Sequence, residues 1–357
     1  MENFVHQQLA ARVVFGQGSF ETLAAEVALL GASRALVLTT PEQADLGKSA
    51  VQLLGKLSAG LYTGARMHVP VATATEAHAL AMQVKADCLI AVGGGSTTGL
   101  AKAMALQAKL PIVAVPTTYA GSEVTPLYGI TQAGEKVTGK DARVLPKTVI
   151  YDINLSLSLP LDASVASGVN AIAHAAESLY ARLVSPVTSL MAEEGIRAIV
   201  NGLRKLIGNP RDVDARSHCQ YGAWLCGVVL GTTEMGLHHK LCHTLGGLFG
   251  LPHAQMHTVI LPHALAYNAP AAPAAMARIA RALGAGPDPA AALPALRDFL
   301  YTVNADVALA DLGMKERDLD RAAAAATAKP YPNPRPFDAG SVRKLLDNAY
   351  FGRFAGQ

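Results

Sequence analysis

The chain of 357 residues has no apolar stretch approaching the roughly eighteen residues that a membrane-spanning helix needs, so no membrane span is expected. Charge is scarce. Only 16% of residues are Asp, Glu, Lys or Arg against 51% apolar, which excludes a disordered chain. The net charge of +3 comes from scattered basic residues without a run, and no nucleic-acid partner is expected. Cysteine is also scarce. The four residues Cys88, Cys219, Cys226 and Cys242 have no CxxC or disulfide-like spacing, which points to reduced thiols and a cytoplasmic protein. The start, "MENFVHQQLAARVV", lacks a basic head followed by an apolar core, so no signal peptide is expected.

The length suggests two domains with sizeable cores. Short apolar runs recur in the first part: "RALVLTT" (34–40), "DCLIAVGGG" (87–95), "LPIVAVPTT" (110–118) and "KTVIYD" (147–152). Alanine-rich segments with helical spacing, such as 43–58 and 74–86, lie between them. Buried strands alternating with helices predict an α/β domain with a parallel, doubly wound sheet. Beyond about residue 160 the β-branched runs give out, and helical stretches follow at 163–182, 187–206, 213–246, 254–268, 272–284, 290–303 and 315–328. The expected organisation is an α/β domain over 1–158 and an all-helical domain over 159–357, joined at "LSLSLPLD" (155–162).

Two loops fall at the carboxyl ends of predicted strands, where ligands of open parallel sheets lie. "AVGGGSTTGLAKAMA" (91–105) places Gly93, Gly94, Gly95 and Ser96 between a strand and a helix. Backbone N–H groups and the helix dipole can hold a phosphate there, and glycine permits its close approach. The stretch matches neither GxGxxG nor a P-loop, so by itself it is equally a tight turn or a pyrophosphate cradle. The next strand ends in "VPTTYAGSEVTP" (115–126), with hydroxyls at Thr117, Thr118, Ser122 and Thr125. Such hydroxyls cap turns as readily as they bind ligands. Two of these loops on successive strands favour a shared ligand.

A second cluster lies downstream. Asn170 and His174 share a helix face in "SGVNAIAHAAESLY" (167–180). In "MGLHHKLCHTLGGLFGLPHAQMH" (235–257), His239 and His243 are again one turn apart, and His253 follows Pro252. Histidines converging from three helices suit zinc or iron, yet an asparagine stands where such a site would want a carboxylate.

Taken together these motifs resemble the iron-containing alcohol dehydrogenase superfamily, and within it the maleylacetate reductases. The superfamily's GGGS loop is present, with Gly99 in place of its aspartate and Lys102 as its lysine. The PTTxxGSExT stretch is Pro116 to Thr125, the DxxxH motif is Asn170 to His174, and the HxxxH…PH motif is His239, His243 and His253. "GGGSTTGLAKA", "PTTYAGSE", "YGIT…GEKVTGKDARVLPKTVIYD" (128–152) and "YPNPRP" (331–336) look like maleylacetate reductase versions, and the likeness spans essentially the whole chain.

The resemblance implies a dehydroquinate synthase-like fold, a homodimer, and reduction of the double bond of maleylacetate, a small dicarboxylate, by NADH or NADPH. It places the pyrophosphate on Gly93 to Ser96, with Thr117, Thr118 and Thr125 lining the rest. Thr39, which follows the first strand where an acidic residue would repel a 2′-phosphate, leaves NADPH admissible. His243 is the first candidate for general acid, with His253, His239 and His174 beside it. Candidates to hold the substrate carboxylates are Tyr119, Lys140, Arg143, Tyr331 and Arg335, among which the sequence does not choose. Asn170 offers a neutral oxygen, so no catalytic metal is expected. A metal, if bound, would fall to His174, His239 and His253 with Asn170. A metal-dependent alcohol or polyol dehydrogenase, a dehydroquinate synthase-type lyase and a decayed nucleotide-binding protein are the competing readings.

Overall fold

The computed structural model describes residues 4, 6, 7, 9, 11–132, 135–305 and 308–354. The chain forms two compact units, Gln8–Leu159 and Pro160–Gln357, with Met1–Gln7 grouping with the second. The division falls one residue from the expected 158/159, and His6 goes with the helical unit. A hydrogen bond of 3.3 Å between His6 and Ser185 is one physical reason.

In the α/β unit, strands β1 (Arg12–Phe15), β2 (Ala35–Leu38), β3 (Ser58–Tyr62), β4 (Cys88–Gly93) and β5 (Ile112–Pro116) are followed by a hairpin, β6 (Leu127–Gln132) and β7 (Glu135–Lys140), and by β8 (Thr148–Tyr151). The helices are α1 (Leu23–Leu29), α2 (Ala44–Leu54), α3 (Val71–Gln83), α4 (Gly95–Ala108) and the short α5 (Ile153–Ser156). Six strands form one parallel sheet in the order β1-β8-β5-β4-β2-β3. Every residue of β2, β4, β5 and β8 is buried, because helices cover both faces of the sheet. Alternation along β2 sends Leu36 and Leu38 to a core with Leu100 and Met104 of α4, and Val37 to one with Leu23, Val27 and Leu54. Each such side chain contributes about 1.5–3 kcal/mol when fully buried.

The chain leaves β2 for β3 at one edge and returns to β4 on the other side of β2. The carboxyl ends of β2 and β4 therefore flank the switch point, where open α/β sheets bind ligands. The edge strands β1 and β3, and the β6–β7 hairpin, had no clear apolar run to announce them. β3 reads SAGLY and is only half-buried over most of its length.

The helical unit comprises α6 (Leu161–Ser178), α7 (Pro186–Gly208), α8 (Val213–Thr232), α9 (Leu237–Phe249), α10 (His253–Asn268), α11 (Pro273–Ala282), α12 (Ala292–Thr302), α13 (Leu319–Thr327) and α14 (Ala339–Tyr350). α6 is buried on every side from Ser164 to Ser178 and packs against α7, α8 and α10. Leu241, Leu245, Met256 and Ile260 of α9 and α10 form a core with Ala322, Val342 and Leu346 of α13 and α14.

The single helix expected over 213–246 is two helices, broken at Thr233–Gly236. α14 was not anticipated, although Asp338 caps it by accepting from the Ser341 N–H at 2.7 Å, a start signal present in the sequence.

Candidate active site

The glycine loop is built at the end of β4. Gly93 has φ +147°, and a Cβ there would lie 2.5 Å from Thr97 Oγ1 and 2.6 Å from Gln43 Oε1. Only glycine fits both the conformation and the space. Gly94 precedes α4, whose first residues Gly95 and Ser96 lie in the exposed or half-buried part of the loop. A Cβ on Gly95 would meet only Ala120, at 4.0 Å. That leaves room beside the first turn of α4, where helix N-terminal amides and the helix dipole can hold an anion.

The hydroxyls around the loop divide into two kinds. Thr117 is buried and accepts from Gln43 Nε2 at 2.9 Å, and its N–H donates to the Gly93 carbonyl at 3.1 Å. Thr118 is half-buried against Gly94. Thr39 is fully buried, with its backbone bonded to Tyr62 and Ala65. Thr125 is a correction to the expected cofactor lining: its hydroxyl donates to the Ser122 carbonyl and accepts from Lys102, so it braces the loop.

Lys102 organises that brace. Its buried Nζ lies 2.6 Å from the Ser122 carbonyl, 2.8 Å from those of Thr125 and Leu127, and 2.9 Å from Thr125 Oγ1. Burial pushes its pKa down to about 7, while the neighbouring Glu123 favours the ammonium. Glu123 is itself buried and accepts from the Tyr151 hydroxyl at 2.8 Å. At Gly99, where the superfamily motif carries aspartate, a Cβ would come within 2.7 Å of Val69 Cγ2. Val69 has φ +48° and Thr131 holds its carbonyl, so a side chain at 99 requires the Val69 side chain to give way on a held backbone.

The histidine cluster is built on α6, α9 and α10. Asn170, His174 and Glu177 line one buried face of α6. Glu177 closes the start of α9. Its carboxylate accepts from the backbone N–H groups of Gly236, His238 and His239, with the His238 contact at 2.7 Å. These are the orphan donors of a helix N-terminus, where the dipole also favours an anion. The same carboxylate accepts from His239 Nδ1 at 2.6 Å. His239 Nε2 is 2.7 Å from His174 Nδ1, and His174 Nε2 is 3.2 Å from Asn170 Nδ2. Burial raises the pKa of Glu177, against the pull of His238 and of the α9 amides, and lowers that of His239.

His257 stands at the centre of the cluster, fully buried, with ring centroids of His253, His238, His239 and His174 at 4.3, 4.9, 5.0 and 5.8 Å. Neither of its ring nitrogens has a hydrogen-bond partner. His243 and His253 are half-buried, with the His243 ring edge-on to His239 at 6.3 Å. Among the described residues three buried groups have donor atoms within 4.8 Å of one another: His174, His239 and His257; His238, Cys242 and His257; and Glu177, His238 and His239; His253, expected in the set with His174 and His239, is in none of them. Glu177, His238 and His257 were missed in the sequence. Glu177 is three residues beyond His174, and His257 is one turn beyond His253, so helical spacing carried both signals.

The candidate substrate-binding residues are placed within their own units. In the α/β unit Tyr119 is fully buried and Lys140 is exposed at the end of β7. Arg143 is engaged by Asp141 at 2.6 Å and by the Leu106 carbonyl at 3.1 Å. In the helical unit Arg335 lies over the Tyr267 ring at 4.4 Å and donates to its carbonyl, and Tyr331 stacks on Phe337 at 4.4 Å. Arg143 is thus paired with Asp141, while Arg335 is exposed and gives Tyr267 one hydrogen bond.

A parallel sheet ending in an open glycine loop, and a buried set of histidines on a helical unit, define a class. The chain belongs to the iron-containing alcohol dehydrogenase family, whose two sequence patterns, iron-containing alcohol dehydrogenase and the family's C-terminal part, match residues 10–153 and 164–350. It is an oxidoreductase of that family, and within it the similarity is to the maleylacetate reductases. The chain is 55% identical to maleylacetate reductase of Burkholderia cepacia over 352 residues, 99% of each protein. Among solved structures, a putative alcohol dehydrogenase from Ralstonia eutropha JMP134 matches with a TM-score of 0.96 at 60% identity, covering 99% of both chains. Maleylacetate reductase from Agrobacterium tumefaciens matches with a TM-score of 0.93 at 47% identity, again covering 99% of both.

The family's description implies iron, and the donors gathered here do not fit it as arranged. The nearby carboxylate, Glu177, spends its oxygens on α9 and His239. Asn170 turns its amide nitrogen, not its oxygen, toward His174. His174 and His239 are bonded to each other through nitrogens that a metal would need.

Proposed function

We propose that this protein reduces the carbon–carbon double bond of maleylacetate to 3-oxoadipate with hydride from NADH or NADPH and without a catalytic metal. The observation that carries the reading is the 55% identity to a maleylacetate reductase over 99% of both chains. The neutral amide at Asn170 supports the absence of a metal.

The nucleotide's pyrophosphate binds at Gly93 to Ser96 and the start of α4. Thr117 and Thr118 line the adjacent wall, with Thr125 and Lys102 holding the loop behind them. Thr39 carries no charge to repel a 2′-phosphate, so either nucleotide is admissible. Hydride adds to the alkene carbon β to the ketone. The alkene electron pair moves toward the ketone, whose oxygen becomes that of an enolate. A proton then adds to the carbon beside the ketone. An enolate is less basic than an alkoxide, and well-placed hydrogen-bond donors stabilise it without a Lewis acid. His243 is the proton donor, with His253 beside it. Lys140, Tyr119, Tyr331 and Arg335 are the remaining candidates for the substrate's carboxylates, with Arg143 available only if released from Asp141.

The protein works as a homodimer in the cytoplasm. The four cysteines support a reducing compartment, since all are buried and none forms a disulfide. Size-exclusion chromatography with light scattering tests the dimer.

One observation favours a second reading, a metal-dependent alcohol dehydrogenase: the nitrogens of His174, His239 and His257 lie close enough to share an ion once the His174–His239 bond opens. Nicotinamide carrying deuterium at its transferable position separates the two. Double-bond reduction delivers one deuterium to carbon and leaves the ketone of 3-oxoadipate intact. Recovery of a hydroxy acid with deuterium on the former carbonyl carbon overturns the proposal.

A further inference from the structure

We infer that Asn170 and Glu177 terminate a directed chain of hydrogen bonds through His174 and His239, and that the Asn170 amide supplies the donor that a cation would otherwise have to supply. Its activity arm rests on the reductase reading above; its tautomer and metal arms do not.

The direction follows from Glu177. Its oxygens already receive the backbone N–H groups of Gly236, His238 and His239, a set of donors that suits an acceptor, and this places the proton of the 2.6 Å contact on His239 Nδ1. A neutral imidazole protonated there leaves Nε2 bare. That nitrogen is 2.7 Å from His174 Nδ1, which must therefore carry the next proton. His174 Nε2 is then bare in turn, and Asn170 Nδ2 stands 3.2 Å away with hydrogens to give. Every link is matched as donor to acceptor, and the leftover atom is Asn170 Oδ1, buried without a partner.

Aspartate at 170 would break this pattern. Two acceptor oxygens would face the bare Nε2 of His174. Reversing the His174 tautomer only moves the conflict to His239, whose own tautomer Glu177 fixes. A proton or a divalent cation resolves it. The residue at 170 thus decides whether the two imidazoles close on each other or open to a metal. Asn170 and Glu177 are positioning residues. They leave His174 and His239 with no ring N–H to give a substrate, which assigns proton delivery to a histidine outside the chain.

The test uses full-length protein labelled with ¹⁵N at histidine, as the natural sequence, Asn170→Asp and Asn170→Ala. Long-range ¹H–¹⁵N correlation should show His174 and His239 of the natural protein both protonated at Nδ1 and bare at Nε2, unchanged by added zinc. Asn170→Asp should retain about one zinc per chain after desalting and bind it about a hundredfold more tightly than the natural protein. Asn170→Ala should leave the His174 tautomer mixed, gain no zinc, and lower kcat about tenfold with little change in KM for the nucleotide. A natural protein with His174 protonated at Nε2, or one that binds zinc as tightly as Asn170→Asp, overturns the inference. The tautomers as stated in a protein inactive on maleylacetate would instead sink the reductase reading alone.

Discussion

The Glu177 carboxylate lies 2.6 Å from His239 Nδ1 and at the same time caps the helix that carries His239. One side chain therefore fixes where α9 begins and which nitrogen of its histidine is bare. Gly236 makes this closeness possible: a Cβ there would come within 3.3 Å of Glu177 Oε1 and 3.1 Å of the Pro332 carbonyl.

Glu177→Gln should damage stability and activity together. The amide cannot accept from all the α9 N–H groups and from His239 at once. A loss of about 1–3 kcal/mol in urea unfolding, with an unchanged m value, is expected from the unsatisfied donors. Activity should fall about 10- to 100-fold through the misaligned histidines. Full activity in a destabilised variant would confine Glu177 to helix capping.

His243→Asn should lower kcat by about 10²–10⁴, the usual worth of a positioned general acid. Nucleotide affinity should be unchanged, since the glycine loop is untouched. Steady-state kinetics with a parallel nucleotide titration check both. A fall in nucleotide affinity with normal kcat would remove His243 from the chemistry.

Gly93→Ala should weaken nucleotide binding at least about tenfold, because the residue's φ of +147° and the 2.5 Å approach to Thr97 force the loop to move. Quenching or enhancement of nicotinamide fluorescence reads this directly. The histidine cluster, built wholly within the helical unit, should keep its NMR signature.

His263 makes folding pH-dependent in a known direction. Burial lowers its pKa from 6.5 to about 4. Between these values the unfolded chain binds a proton that the folded protein refuses, so stability present above pH 6.5 is lost as the pH falls toward about 4. The contribution is about 3 kcal/mol over that window. Urea unfolding of His263→Leu should show a correspondingly shallower loss; an identical slope would show that His263 titrates normally.

Much of this architecture was legible in the sequence, and the exceptions share a cause. β2, β4, β5 and β8 announced themselves because strands covered on both faces read as apolar runs. The edge strands β1 and β3 did not, being only partly buried. The break between α8 and α9 was invisible because its cause, Glu177, is 61 residues from the amide of His238 that it receives. Glu177 itself was within reach of the sequence, since it lies on the same helix three residues beyond His174. Asn170 stood out as a missing carboxylate, yet only the structure gives the direction in which its amide faces. Thr125 was read as a ligand-facing hydroxyl. Its true partner, Lys102, is 23 residues away in the chain, and local pattern does not reveal such a bond.

The most direct measurement is turnover of maleylacetate by protein dialysed against chelator, with zinc and iron quantified in the same sample. Loss of NADH or NADPH absorbance is followed with each nucleotide in turn. The account expects rapid oxidation with metal far below one ion per chain, and no acceleration when zinc or iron is returned. Silence until a metal is restored would contradict it, and would make the histidines of α6, α9 and α10 a working metal centre.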